Sequence, residues 1–273
     1  MKKIDKNNEV AANAIIDSFL AWARGERWYG PDCGRMLYDM FGRPFATGFN
    51  NKQRLEDSVL LPEQDHRCCY CMKRIDDHAD DATIEHIVPQ STTNAVDKNH
   101  YFSAKSGGLN ATNVCLTSEY VNNGSTPPPY PHHVAYHNYA VACQSCNGYR
   151  WHHKIEPLFL FPGIEAEVTY NRNTGEMEWD NDPVFISAVP DLPTIDRVRL
   201  NRPLLKAIRA VWFYAKDHGI SPATADRNVL LYETLGNSLI AKPDMSNDDF
   251  NAYLNLTTEA MWQILLKYDY FGL

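Results

Sequence analysis

The sequence Cys143-Gln-Ser-Cys146 repeats the spacing of an earlier sequence, Cys68-Cys-Tyr-Cys71, with 71 residues between the two. A Cys-x-x-Cys turn presents both of its thiolates to one ion, and zinc prefers four such ligands at the corners of a tetrahedron. Together the pairs predict a structural zinc site with four ligands: Cys68, Cys71, Cys143 and Cys146. One pair alone would fit a redox pair or two core cysteines equally well. A zinc ion closed by four cysteines has no open position, so any catalytic chemistry should lie beside it.

The cysteine count and the start of the chain indicate a reducing compartment. There are seven cysteines, an odd number, and the first residues, MKKIDKNNEV, lack the apolar core of a signal peptide. A secreted disulfide framework is therefore not expected. Cys69 should point away from the zinc, and Cys33 and Cys115 should be ordinary buried thiols.

Composition excludes several classes of protein. The chain has 273 residues, of which 44% are hydrophobic, enough for a sizeable core in one or two domains. Its formal net charge is −8 and its pI is 5.7, so bulk positive charge does not hold it on nucleic acid or anionic lipid. No run of about 18 apolar residues is present, so no membrane partner is expected. We expect a soluble, cytoplasmic protein.

The residues that carry chemistry are concentrated in the middle of the chain. Residues 66–156 contain six of the seven cysteines and nine of the ten histidines. We therefore predict three regions: an N-terminal helical region at 1–65 for packing or partner docking, a chemical core with an insertion at 66–156, and a hairpin followed by helices at 157–273. The predicted fold class is α+β.

Apolar patterns predict the flanking elements. Helical spacing predicts one helix at 9–23 and a second at 51–61, stopped by Pro62. The proline-rich residues 122–131 should form an irregular loop. Residues 167–179 predict a hairpin with a glycine-containing turn.

The last third of the chain predicts helices. Asn201 should cap a helix that has Pro203 in its first turn, Ser221 should start another, and residues 261–266 belong to a last one. The densest basic strip, of which the last three members share one helix face, consists of Arg197, Arg199, Arg202, Lys206 and Arg209. That face predicts either phosphate contacts or a solvated or subunit-facing surface.

Two segments between the cysteine pairs carry candidate catalytic residues: Thr83-Ile-Glu-His-Ile-Val-Pro-Gln-Ser91 and Asn138-Tyr-Ala-Val-Ala-Cys-Gln-Ser-Cys-Asn-Gly-Tyr-Arg150. Hydrolysis of a phosphodiester needs an activated water and neutralised phosphoryl oxygens. Histidine titrates near neutral pH, so His86 can accept the proton of the water. Glu85 and the amide oxygen of Asn147 are hard ligands that suit Mg²⁺ or Mn²⁺. Neighbouring strand residues point to opposite faces, so Glu85 and His86 reach one phosphate only if the chain bends after them.

These segments resemble the HNH endonuclease motif in its zinc-stapled ββα-metal form. The likeness rests on Glu-His-Ile-x-Pro after the first cysteine pair, and on an Asn five residues before a second pair that is followed directly by Asn. The resemblance implies that His86 is the general base and that Glu85, in place of the commoner Asp, binds the catalytic metal together with Asn147. Asn138 would tie the hairpin, with Asn113 as the weaker alternative. It also implies a ββα-metal core.

Three residues at the end of the motif are predicted to contact the substrate: Arg150, His152 and His153. Arg150 falls where many HNH proteins carry Lys, and His152 or His153 could assist at the leaving group. We do not expect the histidines at 132, 133 and 137 to be metal ligands.

Short flanking matches extend the resemblance to the HNH proteins of retron and Septu systems, the PtuB type. They are Met-Lys-Lys-Ile-x-Lys at the start, Leu60-Leu-Pro-Glu-Gln64, and Leu200-Asn-Arg-Pro-Leu204 followed by Arg209. This likeness implies an antiphage defence nuclease that works with a PtuA-like ABC-type ATPase, with or without a retron reverse transcriptase and its msDNA. The expected substrate is nucleic acid, with DNA ahead of tRNA.

The sequence leaves three functions open. The first, which we expect, is a metal-dependent endonuclease held silent until a partner releases it. The second is a non-catalytic, zinc-stabilised module that binds nucleic acid or an ATPase. The third is a redox protein that uses its Cys-x-x-Cys thiols, which predicts reversible disulfides and no bound zinc.

Overall fold

A computed structural model describes residues 1–25, 34–43, 50–75, 82–102, 109–123, 126–151, 153–185, 192–219 and 271–273. The strands in these ranges are β1 (Ala82–His86), β2 (Val114–Cys115), β3 (Tyr130–Pro131), β4 (Tyr139–Cys143), β5 (Thr169–Tyr170) and β6 (Met177–Glu178). The α-helices are α1 (Glu9–Gly25), α2 (Gly34–Phe41), α3 (Asn51–Leu55), α4 (Leu61–Glu63), α5 (Ala95–Tyr101), α6 (Thr117–Asn123), α7 (Gln144–Arg150), α8 (Ile164–Glu167), α9 (Thr194–Arg197) and α10 (Pro203–Asp217). This mixed α+β architecture confirms the predicted fold class.

The central unit is an antiparallel pair of strands followed by a helix. β1 pairs with β4 so that Glu85 lies opposite Ala140 and His86 lies opposite Tyr139. All of β4 is buried, as are the last three residues of β1. Cys143 ends β4 and is also the N-cap residue of α7. The second cysteine pair therefore spans the junction at which α7 leaves the sheet.

The first cysteine pair lies in a tight turn between two bridged residues, Arg67 and Arg74. The Cys69 amide donates to the Val141 carbonyl at 2.9 Å, which attaches the turn to β4. Gln64 binds the same strand residue twice, because its side chain donates to the Val141 carbonyl at 2.9 Å and accepts from the Val141 amide at 2.7 Å. The turn is thus held on the central strand by the backbone as well as by its cysteines.

The first predicted helix is confirmed as α1. Its buried residues recur at helical spacing: Ala12, Ile15, Ile16, Phe19, Leu20 and Ala23. Glu9 in the first turn and Arg24 in the last turn complement the helix dipole, and Gly25 is the last residue. The amphipathic pattern was therefore sufficient to place this helix.

The second predicted helix is longer than expected. α3 covers Asn51–Leu55, a π-helix follows over Glu56–Leu60, and α4 adds Leu61–Glu63. The prediction that Pro62 stops the helix is wrong. Pro62 lies in the first turn of α4, a position where the fixed φ and missing N–H of proline are tolerated.

Residues 122–131 are not wholly irregular, contrary to the prediction. The end of α6 takes up the first two of them, and β3, which pairs in parallel with β2, takes up the last two. The donors of that ladder are the amides of Tyr130 and His132. Pro131 therefore stands in the strand where its missing N–H is not needed.

The predicted hairpin is confirmed as β5 and β6. Thr169 lies opposite Glu178, and the Gly175 amide donates to the Asn171 carbonyl at 2.7 Å across the turn. Gly175 has a φ of +68°, and a Cβ there would lie 1.9 Å from the carbonyl oxygen of Lys206. Only glycine allows α10 to pack this closely on the turn.

The helix expected near Pro203 is α10, but its cap differs from the prediction. The residue before the helix is Arg202, which makes no side-chain capping bond. Asn201 instead exchanges two hydrogen bonds of 2.8 Å with the backbone of Met177 in β6. The side-chain amide of an Asn complements the N–H and C=O groups of an edge strand, so Asn201 binds β6 and does not cap α10.

The predicted basic helix face turns inward. Arg209 is fully buried and donates to the carbonyls of Leu200 and Gly175 at 2.6 and 2.9 Å. Lys206 lies 3.4 Å from the carboxylate of Glu176. Neither a phosphate-binding face nor a solvated face results, because these cations hold α10 on the hairpin.

Hydrogen bonds cross both predicted region boundaries. Gln64 binds Val141 as described above, and the Ile4 amide donates to the Phe159 carbonyl at 2.7 Å. The division at 1–65, 66–156 and 157–273 stays a prediction.

Several expectations fall on other parts of the chain. Cys33 and the helices predicted to start at Ser221 and to include 261–266 lie outside the described residues. Of the helices that the structure describes, none has both the length and the apolar character needed to cross a membrane.

Candidate metal centre and adjoining cleft

Four buried sulfurs form one cluster in which all ligand atoms lie within 4.8 Å of one another: those of Cys68, Cys71, Cys143 and Cys146. The sulfurs of Cys71 and Cys143 are 3.9 Å apart. Four thiolates that bind zinc at about 2.3 Å stand about 3.8 Å apart at the corners of a tetrahedron. The predicted ligand set therefore converges, and its geometry fits a structural zinc ion.

A cation lies against this cluster. Nη1 of Arg202 is 3.8 Å from the sulfur of Cys146. A zinc ion with four thiolates would carry a net negative charge, and a nearby guanidinium offsets the cost of burying such a charge. Arg202 thus connects the start of α10 to the cysteine cluster.

The two other described cysteines are inert thiols. Cys69 is buried beside the cluster without belonging to it, and burial raises its pKa. Burial also raises the pKa of Cys115 to about 12. Both are protonated at neutral pH, so neither is a candidate nucleophile.

A cleft of about 430 Å³ adjoins the cluster. Four residues predicted from the sequence line it: Glu85, His86, Asn147 and Arg150. The remaining lining residues are Arg35, Ile84, Pro89, Gln90, Ser91 and Trp151. The end of β1 and the bend after it form one wall, and α7 forms another. Because Asn147 directly follows a cysteine of the cluster, the cluster sets its position relative to β1.

His86 is only 5% exposed and is packed between aromatic rings. The rings of Tyr38 and Tyr139 contact it edge-on, with centroids at 4.6 and 5.0 Å. Its Nε2 lies 3.3 Å from the carbonyl oxygen of His133, and its Nδ1 lies 3.4 Å from the side-chain Nε2 of Gln90. A carbonyl only accepts, so Nε2 carries the proton and Nδ1 keeps the lone pair. Burial lowers the pKa of His86 well below its ordinary value, so the ring is neutral at pH 7.

Glu85 is a buried carboxylate with unsatisfied oxygens. It is 1% exposed, and its Oε1 lies 3.0 Å from Nε of Arg150. Neither oxygen has a hydrogen-bond partner of good geometry among the described residues. Burial raises the pKa of Glu85, whereas Arg150 and the Tyr70 hydroxyl favour its charged form. A cation in the cleft would complete the coordination of such a group.

Arg150 lies in the cleft wall, but it is not an open cation. It is 3% exposed, and Nη2 donates to the Ile87 carbonyl at 3.1 Å in the bend after β1. Its charge compensates that of Glu85. The expected substrate contact of Arg150 stays a prediction, and the structure gives this residue a different role within the fold.

Asn138 ties the bend after β1 to the start of β4. Its Oδ1 accepts from the Val88 amide at 2.6 Å, and its Nδ2 donates to the carbonyls of Val88 and His132 at 3.1 and 2.6 Å. The alternative, Asn113, accepts from the Asn110 amide at 3.0 Å within its own turn. The tying geometry expected of the middle Asn is therefore found at 138.

Asn147 ties α7 to β1. Its Nδ2 donates to the hydroxyl of Thr83 at 2.9 Å, and that hydroxyl donates to the Ala142 carbonyl at 3.0 Å. The amide oxygen, which is the predicted ligand atom, is not used in this bond. Asn147 is half-buried and lines the cleft.

The two histidines after the motif are not found in the cleft wall. His152 lies outside the described residues. His153 is half-buried, and its amide donates to the Arg150 carbonyl at 2.8 Å, but its side chain is not part of the described lining. Their predicted substrate contacts stay untested.

A separate pair of buried histidines lies behind the general-base candidate. Nδ1 of His133 and Nδ1 of His132 lie 2.5 and 3.4 Å from the hydroxyl of Thr117. Burial lowers the pKa of His132 to about 3 and that of His133 to about 4. Both rings are therefore neutral at pH 7, and neither belongs to a metal cluster in the described ranges.

Sequence reasoning missed three residues at the cleft. Arg35 lines it and Tyr38 contacts His86, and both come from α2, which has no sequence connection to the motif. Trp151 also lines the cleft. It directly follows the motif, so its position in the sequence was the one available clue.

No protein-family model, curated protein or solved structure matches this chain. A functional assignment therefore depends on the residues of the cleft and their chemistry rather than on a fold-level relationship.

Proposed function

We propose that this protein is a metal-dependent endonuclease of the HNH type, which hydrolyses phosphodiester bonds of nucleic acid. The observation that supports it most is the convergence of Glu85, His86 and Asn147 on one cleft beside the four-cysteine cluster. These are the side chains to which the motif assigns metal binding and proton transfer.

His86 acts as the general base. A water molecule in the cleft gives its proton to Nδ1, and its oxygen attacks phosphorus while the bond to the leaving oxygen breaks on the opposite side. The leaving oxygen takes up a proton from solvent. The bond from Nε2 to the His133 carbonyl holds the ring in the tautomer that this step needs. The side-chain amide of Gln90 makes only a long contact to Nδ1, which a water molecule can replace.

Glu85 and Asn147 would hold Mg²⁺ or Mn²⁺, which when bound neutralises negative charge on the phosphoryl oxygens. Their fit to such an ion rests on the oxygen donors. Neither carboxylate oxygen of Glu85 has a hydrogen bond of good geometry to the described residues, and Asn147 binds Thr83 through its nitrogen. Arg150 would share the carboxylate with the ion, since it lies 3.0 Å from one oxygen.

The test is cleavage of DNA and of RNA, including tRNA, with added Mg²⁺ or Mn²⁺ and without added metal. We expect metal-dependent cleavage that falls at least about a hundredfold in His86→Ala, the usual effect of losing a general base. His218→Ala is the matched control, because His218 is an exposed histidine at the end of α10. Equal cleavage by wild type and His86→Ala would contradict the proposal.

We extend the proposal to the biological setting on the flanking resemblance alone. The protein is the effector of a bacterial antiphage system, acts in the cytoplasm on DNA ahead of tRNA, and works with a PtuA-like ABC-type ATPase, with or without a retron reverse transcriptase and msDNA. Co-expression with the ATPase encoded beside its gene tests this. Co-purification and partner-dependent cleavage would support the setting, and a neighbouring region without an ATPase gene would contradict it.

A second candidate function is a non-catalytic, zinc-stabilised module that binds nucleic acid or an ATPase. One observation favours it: the charge of Glu85 is compensated within the fold by Arg150. It predicts tight complexes with no turnover under any metal, with the partner present or absent.

A further inference from the structure

Two exposed side chains of different chemistry line the cleft and have no part in the hydrolytic step. Trp151 follows α7 and is 70% exposed. Arg35 lies in the first turn of α2 and is also exposed. They come from two separate elements and line the same cleft as His86.

Trp151 is held in place by its backbone. Its amide donates to the Asn147 carbonyl at 2.7 Å, and its own carbonyl accepts from Nη1 of Arg150 at 3.3 Å. Its φ is +41°, a positive value that is unfavourable for a bulky residue. Strain of this kind persists mainly where the side chain is used, and an indole with most of its surface in solvent adds little to the core.

The chemistry of the two side chains specifies a ligand. An exposed indole offers a flat apolar face, and a nucleobase stacked on such a face gains about 1–3 kcal/mol. A base offers its whole face only when it is not stacked inside a duplex. A guanidinium binds phosphate oxygens through charge-assisted hydrogen bonds, and Arg35 places an exposed one at the cleft.

We infer that the cleft binds an unpaired nucleotide, with its base stacked on Trp151 and a neighbouring phosphate on Arg35. The preferred substrate is therefore single-stranded or looped nucleic acid rather than continuous duplex. The cleft volume of about 430 Å³ is in the range of sites that enclose one small ligand. This inference rests on the proposed function, because it names the substrate class of the same site.

The test measures binding rather than cleavage. The full chain carrying His86→Ala is titrated, without added divalent metal and without chelator, against fluorescent oligonucleotides of one sequence presented as single strand, hairpin loop and perfect duplex. We expect the single strand and the loop to bind at least about tenfold more tightly than the duplex, because only they offer an unstacked base.

Variants separate the two contacts. Trp151→Leu should lower the affinity for the single strand about tenfold, and Trp151→Phe should restore most of it, because Phe keeps a stacking face. Arg35→Ala should weaken binding of all sequences to a similar extent. It should also reduce the slope of the logarithm of the binding constant against the logarithm of the salt concentration by about one. Arg54→Ala is the control, since Arg54 is exposed on α3 and outside the cleft lining. Unchanged zinc content and melting temperature show that each variant is folded.

The outcomes distinguish this inference from the nuclease proposal. Wild-type affinity in Trp151→Leu, or equal binding of duplex and single strand, overturns the inference whatever the cleavage assay shows. Stacking-dependent binding of the single strand supports it, even if wild type cleaves nothing and the nuclease proposal fails.

Discussion

Glu85 and Arg150 show how the role of one residue depends on another that is distant in sequence. Each is less than 4% exposed, and their charged groups lie 3.0 Å apart at the back of the cleft. Removing two charges from water costs several kcal/mol each, and the pair is tolerated because each charge offsets the other. The motif gave the two residues separate roles, and only the packing of α7 on β1 makes them partners.

The first prediction concerns this ion pair. Arg150→Met should lower the free energy of unfolding by about 3 kcal/mol, because it leaves the Glu85 carboxylate buried without a counter-charge. The double variant Glu85→Gln with Arg150→Met should be less destabilised than Arg150→Met alone. Urea unfolding of wild type, both single variants and the double variant measures the coupling. Simple additivity of the two substitutions would show that the pair contributes nothing.

The second prediction concerns pH and the histidines behind His86. His132 and His133 have native pKa values of about 3 and about 4, below the value of about 6.5 in the unfolded chain. The unfolded state therefore binds more protons below pH 6.5, and stability that is complete above this pH is lost as the pH falls towards 4. The two together should cost about 3 kcal/mol of the free energy of unfolding between pH 6.5 and 5.

The comparison of variants checks this prediction. In urea unfolding, His132→Asn should reduce the steepness with which the free energy of unfolding falls as the pH is lowered. His218→Ala should leave that steepness unchanged because His218 is exposed. Asp182 acts in the opposite direction, since burial raises its pKa to about 6 and protonation then favours the folded state. The difference between variants, rather than the absolute slope, is therefore the measurement. An acid profile identical in His132→Asn and wild type would contradict it.

At the scale of elements, local patterns and long-range contacts differ in how far they can be predicted. The apolar spacing of α1 and the turn chemistry between β5 and β6 depend on neighbours in sequence, and both elements form where expected. Local rules failed at Pro62 and Asn201. Pro62 does not end its helical segment, because a π-helix leads directly into α4, and Asn201 binds the edge of β6 rather than capping α10. The cysteine spacing predicted the cluster, but nothing in the motif indicated that α2 would supply part of the cleft.

The third prediction concerns the bend after β1. Asn138→Ala should lower the free energy of unfolding by about 2–4 kcal/mol, because it leaves buried polar groups of Val88 and His132 without their partner. Asn113→Ala should cost about 1 kcal/mol or less, since its turn is more exposed. Denaturant unfolding of both variants ranks the two positions. An equal loss of unfolding free energy in the two variants would contradict the assignment of Asn138 as the residue that ties the bend to β4.

At the scale of the whole molecule, the cysteine cluster is the place where distant parts of the chain meet. The first pair comes from the turn attached to β4, and the second pair comes from the start of α7. Arg202 reaches Cys146, and the guanidinium groups of Arg199 and Arg202 lie over the ring of Tyr149 in α7 at 5.0 and 5.4 Å. A metal at the cluster would therefore hold the cleft wall and the segment before α10 together.

The last prediction is that the folded chain binds one zinc ion and depends on it. The free energy of binding zinc to four thiolates, about 10 kcal/mol or more, is comparable to the whole stability of a domain. Cys71→Ser should therefore lose both zinc, measured by elemental analysis, and the cooperative thermal transition. Cys115→Ser, at a buried cysteine outside the cluster, should keep both. A strong chelator should reproduce the effect of Cys71→Ser in wild type. The contrary result is native protein that carries no zinc and joins these cysteines in reversible disulfides. The redox function would then replace the metal centre, and the nuclease proposal, which depends on a zinc site beside the cleft, would lose its support.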